Sequence, residues 1–198
     1  MSGLVEQIVE QISDVPEGRY LTAKELLHLG NRAAVDQALS RLARRGQLIR
    51  VGRGLYVQPI QGLFGYRPAA ASKTVEALGA QRGVTVVRHG AAAANALGLT
   101  TQMPVREVYL TSRRSRELKL GAQTVELRHA PAWQLVLPGS VAGDVVRALA
   151  WLGKERAKSA GESIAKRLSE SERTALLSMR GRLPTCIAQQ VSGFEARG

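Results

Sequence analysis

An α+β fold is predicted by three features of this 198-residue sequence. Apolar residues recur at helical spacing through the first part and give way to two short strands around a glycine turn. Helices and β-rich stretches then alternate without a regular βαβ period, and the tail is helical again. The expected division is an N-terminal winged helix-turn-helix over 1–60, a connector over 61–68 and a mixed α/β domain with a helical C-terminal tail over 69–198.

Leu4, Val5, Ile8, Val9 and Ile12 fall on one face of a first helix, opposite Glu6, Gln7, Glu10 and Gln11. Pro16-Glu17-Gly18 turns the chain, and Tyr20-Leu21 is a brief strand beside the wing. Thr22 and Glu25 stand at the spacing of a capping box, with Leu21 and Leu26 placed as a hydrophobic staple. A helix containing His28 is expected there, ended by Gly30 in a left-handed turn. Asn31 then caps the second helix, whose Val35, Ala38, Leu39 and Leu42 face inward.

The outward face of that helix carries Arg32, Asp36, Gln37, Ser40, Arg41, Arg44 and Arg45, led by Asn31. Amide and guanidinium groups near a helix start reach base edges in a major groove, and arginines further along reach phosphates. Gly46 ends the helix. Leu48, Ile49 and Val51, then Leu55, Tyr56 and Val57, form a hairpin with Arg53 between two glycines at its tip. A wing holds one cation over a minor groove or a phosphate in that way. Taken singly, a basic helix face is a solvated surface and Gly-Arg-Gly a turn. Their order, capped helix, turn, second helix and basic hairpin, points to DNA.

Pro59 to Pro68 reads as a connector in which Leu63, Phe64 and Tyr66 bury something. Beyond it, helices are expected at 69–81, 90–97, 141–152, 161–168 and 171–179, with a last short one opened by Pro184. Strands are expected at 83–87, 105–111, 117–120 and 124–127. Ser169, Ser171 and Glu172 suit a cap, as does Ser140. Arg113, Arg114 and Arg116 fall in a loop between two strands, as a second basic contact for a phosphate or a partner, or as a solvated turn.

A net charge of +12 calls for an anionic partner. Residues 1–66 carry 8 basic and 6 acidic side chains, against 10 and 4 in 67–138 and 10 and 6 in 139–198, so most of the positive field lies beyond the reading head. The acidic start excludes a signal peptide, no apolar run spans a bilayer, and a cytoplasmic protein is expected. Cys186 stands alone, and His28, His89 and His129 lack metal-ligand spacing, so no metal and no cofactor are expected. No GxSxG, HExxH or GxxxxGK[ST] pattern is present, and no catalytic residue is assigned.

VDQALSRLARRGQLIRVGRGLYVQP at 35–59, HGAAAANALGLTTQMP at 89–104, VREVYLTS at 105–112 and ELKLGAQTVELRHA at 117–130 resemble the antitoxins of abortive-infection E systems (AbiEi), the repressor halves of type IV toxin-antitoxin pairs. The resemblance implies a winged helix that binds inverted repeats in double-stranded operator DNA and represses its own operon. It also implies a second domain that counters a cognate nucleotidyltransferase toxin. DNA-reading positions carry over only to Asn31–Arg45 and Arg53, and none carries over for antitoxicity. Paired half-sites need two winged helices, from a homodimer or from two monomers. The alternative is a stand-alone winged-helix regulator whose second domain binds a partner or a ligand.

Overall fold

The computed structural model describes residues 3–13, 15–63, 65–102 and 105–194, the side chain of Glu162 apart. The protein is α+β. Its internal contacts gather into two units, Met1–Val84 with Arg116–Glu126, and Thr85–Ser115 with Leu127–Gly198. The stretch expected as a connector, 61–68, falls inside the first unit.

In the first unit α1 (Leu4–Ser13) buries Ile8 and Ile12, while Leu4, Val5 and Val9 are only partly covered. β1 (Tyr20–Leu21) follows, then a single 3₁₀ turn at Ala23–Leu26 in place of the expected α-helix. Four residues between Thr22 and Leu27 do not sustain an α-helical run, and His28 lies exposed beyond it. The Glu25 carboxylate accepts from the Thr22 backbone N–H at 2.8 Å and from its hydroxyl at 3.0 Å. Leu21 and Leu26 are both buried, as the staple requires. Gly30 is not left-handed; a Cβ there would sit 3.6 Å from the Leu4 methyls, so what it provides is room beside α1.

α2 (Arg32–Arg44) starts from Asn31, whose Oδ1 accepts from the Ala34 N–H at 2.9 Å. Its Val35, Ala38, Leu39 and Leu42 are buried in one cluster with Ile8, Ile12, Leu26 and Leu48. β2 (Ile49–Gly52) and β3 (Leu55–Val57) form the expected hairpin, in sheet order β1-β3-β2 with Tyr20 and Ile49 both opposite Val57. The register shifts between Arg50 and Gly52, and Gly54, at φ 65°, takes the left-handed position of the turn.

The expected connector is a second hairpin, β4 (Ile60–Gly62) with β5 (Gly65–Arg67). Leu63 and Tyr66 are exposed there, so they bury nothing; Phe64 lies outside the described residues. α3 (Ala71–Arg82) bonds back to the edge strand. The Gln81 amide accepts from the Tyr20 N–H at 2.9 Å and donates to the Tyr20 carbonyl at 3.0 Å, satisfying groups that an edge leaves open. β8 (Arg116–Leu120) turns at Gly121 into the first part of β9 (Gln123–His129), burying Leu118, Leu120 and Val125.

In the second unit β6 (Val86–Arg88) pairs antiparallel with β7 (Glu107–Thr111), and the end of β9 lies on the other side of β7. Val87, Leu110, Ala130 and Leu135 close one small core. β7 starts two residues later than expected, with Val105 exposed; Met103 and Pro104 lie outside the described residues. α4 (Gly90–Ala96) is capped by His89, whose Nδ1 accepts from the Ala91 N–H at 3.3 Å. It packs through Ala93 and Ala94 against Ala148 of α5 (Val141–Ala165). Small residues bring the two helices close: a Cβ on Gly90 would lie 2.5 Å from the Arg147 carbonyl oxygen.

α5 runs on beyond the expected end at Leu152, broken at Gly153 by a left-handed φ of 73°. α6 (Glu170–Ser178) starts from a complete capping box of Ser169 and Glu172, and those bonds hold the Glu172 carboxyl below its ordinary range. α7 (Thr185–Ser192) places Ile187 and Val191 in the main core of this unit with Val145, Leu149 and Leu176. Arg147, 2% exposed, donates to the carbonyls of Gln134 and Val136 and to the Asp144 carboxylate at 2.9 Å. Burial pulls its pKa down, and Asp144 opposes that shift.

Candidate nucleic-acid interface

The outer face of α2 follows from its core side. At about 100° per residue, Ala33, Gln37 and Arg44 fall opposite Val35, Ala38, Leu39 and Leu42, and all of them lie outside the buried set. Arg32 and Asp36 fall on one flank and Arg41 and Arg45 on the other, while Ser40, near the outward line, is half-buried. Asn31 is exposed but commits its side-chain oxygen to the cap.

Two of these groups are occupied within the helix. Arg32 Nε meets Asp36 Oδ2 at 2.8 Å in an exposed ion pair, an arrangement worth about 0.3–0.5 kcal/mol. Arg44 Nε donates to the Ser40 carbonyl at 3.5 Å, a long bond. Arg41 and Arg45 line a groove between α1 and α2, together with Gln37, Gln47 and Glu6. The flank facing α1 therefore carries two cations, and the opposite flank is neutralised by its own Asp36.

Arg53 is exposed at the hairpin tip. Arg50 of β2 is exposed as well, a position absent from the sequence-based set although the alternation Ile49-Arg50-Val51 carries the signal for it. Ala33 is a further position on the outward line of α2 outside that set. Its methyl suits apolar contact with a thymine methyl.

Arg113 and Arg114 lie exposed between β7 and β8, in the second unit. Arg116 is not a loop residue: it opens β8 in the first unit, half-buried. Burial and the neighbouring Arg82 lower its pKa, with Tyr20 opposing. The three arginines expected to act together are thus divided between the units.

Among the described residues, no group of three or more His, Cys, Asp and Glu side chains is placed to hold a metal ion, and no helix is long and apolar enough to cross a membrane. Cys186 is exposed on α7.

No curated protein matches the chain. Among solved structures, the RV2827C protein from Mycobacterium tuberculosis is similar at a TM-score of 0.54 and 15% identity, over 98% of this chain and 76% of that one, a likeness of fold. The model of DUF6088, described as a family of unknown function, matches residues 7–176, and the chain belongs to that family.

Proposed function

We infer that the chain is a duplex-DNA-binding regulator that reads its site through α2 and the β2–β3 wing. The observation that carries this is the order helix, strand, short helix, helix and hairpin on a β1-β3-β2 sheet, an arrangement compatible with a winged helix. It leaves Gln37, Arg41, Arg44, Arg45 and Arg53 unburied while the core face of the same helix is fully covered. On the strength of the resemblance to AbiEi antitoxins, the operator lies upstream of its own operon, and the second unit counters a nucleotidyltransferase toxin.

The test is fluorescence anisotropy of the full chain on a duplex from its upstream region and on a scrambled duplex, across a salt series. Preference for the first by at least ~10³ at physiological salt is expected. Gln37→Ala should relax discrimination at one position of each half-site by roughly 1–3 kcal/mol. Equal affinity for both duplexes, abolished alike by salt, would leave only a generic cationic field and turn attention to a protein partner.

A further inference from the structure

The second unit holds a recess of about 310 Å³ between α4 and β7, lined among others by Arg88, His89, Asn95, Arg106, Val108 and Tyr109. That volume is at the lower end for small-molecule sites. Its wall is mixed in the manner of such sites: Val108, Ala92 and Ala96 are apolar, Tyr109 is aromatic, and Arg88 and Arg106 both belong to it.

His89 also lines a second recess, with Gln134, Trp151 and Arg147. Arg147 Nε is buried without a hydrogen-bond partner, although the other nitrogens of that guanidinium are engaged. A buried N–H left unpaired on a cation carries a desolvation cost.

The charges around the two recesses do not balance. Asp144 serves two arginines at once, Arg147 at 2.9 Å and Arg88 at 3.4 Å, and Glu107 is the other carboxylate at the rim. The lining of the first recess holds two arginines, Arg88 and Arg106, and one carboxylate, Glu107. The unit as a whole is basic, with 15 basic residues against 7 acidic ones.

We propose that this recess binds a small phosphate monoester, with Arg88 and Arg106 on the phosphate and the organic part against Tyr109, Ala92 and Ala96. Guanidinium pairs suit phosphate oxygens because several planar N–H groups meet several acceptors. A duplex is too wide for a cavity of this size, so the site is separate from any use of α2. It gives the second unit a ligand of its own.

The experiment is calorimetric titration of the full chain with a nucleoside 5′-monophosphate, ribose 5-phosphate, inorganic phosphate and the unphosphorylated nucleoside. Amide chemical shifts are followed in parallel. Arg106→Ala is the variant of choice, since Arg106 is exposed and its loss leaves Asp144 paired; a thermal melt checks its fold. Saturable one-to-one binding of a phosphate ester is expected, absent for the nucleoside, weakened tenfold or more by Arg106→Ala, with shifts at Ala92, Asn95 and Val108.

Inorganic phosphate binding as tightly as both esters would overturn the monoester site, as would any binding that Arg106→Ala leaves intact. Shifts confined to α2 and the wing would also overturn it and mark contact with the DNA-reading surface. An absence of binding by either ester overturns it too, and leaves the DNA proposal standing on its own test.

Discussion

The arginines of α2 and the wing, in the first unit, and Arg147, in the second, do opposite work. On α2 and the wing, Arg41, Arg44, Arg45 and Arg53 keep their charge in water, with no carboxylate bonded to any of them among the described residues. In the second unit Arg147 is almost wholly enclosed; it ties the Gln134 and Val136 carbonyls to α5 and pairs with Asp144 of the same helix. A solvated guanidinium contributes little to folding and remains open to an anionic partner; a buried one organises the chain around it. The contrast is between surface held ready and charge already committed to structure.

The largest expected effect comes from removing the buried member. Arg147→Ala leaves the Gln134 and Val136 carbonyls without their donor and Asp144 with only the longer Arg88 pair, so unfolding free energy should fall by about 3–5 kcal/mol. Denaturant melts measure it, and a loss below about 1 kcal/mol would make Arg147 as peripheral as the α2 arginines.

Next is the glycine that lets α4 meet α5. Gly90→Ala forces a methyl to within 2.5 Å of the Arg147 carbonyl oxygen and of Trp151 Cβ, and should cost about 1–3 kcal/mol by the same melts. Unchanged stability would mean that the two helices separate freely at that point.

Tyr20→Phe sharpens the comparison inside the first unit. The Tyr20 hydroxyl is buried without a partner, and burial raises its pKa to about 12, with Arg116 and Arg82 pulling the other way. The unfolded chain ionises near 10.0, so this residue's contribution is fully present below that pH and is lost as pH rises from there through about 12. The phenylalanine variant should flatten that alkaline decline and change stability at neutral pH by no more than about 1 kcal/mol. An equally steep decline in the variant would assign the alkaline transition to another group.

The smallest effect on folding belongs to the wing. Arg53→Ala should leave stability within about 0.5 kcal/mol, yet lower the salt slope of DNA binding by about 0.9 for one lost phosphate contact. A normal slope in a folded variant would remove the wing from the interface.

The elements legible in the sequence are those set by near neighbours. Asn31 and the spacing of Val35, Ala38, Leu39 and Leu42 fix α2 locally, Gly54 fixes the wing turn, and Ser169 with Glu172 fixes the start of α6. What escapes depends on distance or on very short runs. Strands of three residues in 60–67 carry too little alternation to be distinguished from a connector. Gly153 is a single left-handed residue with helix on both sides of it, and in the sequence such a break is indistinguishable from an end. Arg147 looks like any helix-surface charge because its carbonyl partners come from 134–136; the signal on offer is Asp144 three residues before it. Proximity in sequence groups Arg116 with Arg113 and Arg114, whereas the strand pattern of Leu118 and Leu120 carries it into β8.

The chain passes between its two units three times, after Val84, after Ser115 and after Glu126. A gene encoding it cannot trade one unit for another by a single recombination event, because any one breakpoint strands 116–126 or severs it from the strands beside it. Exchanging the unit that carries α2 without the unit that carries the recess therefore takes more than one breakpoint.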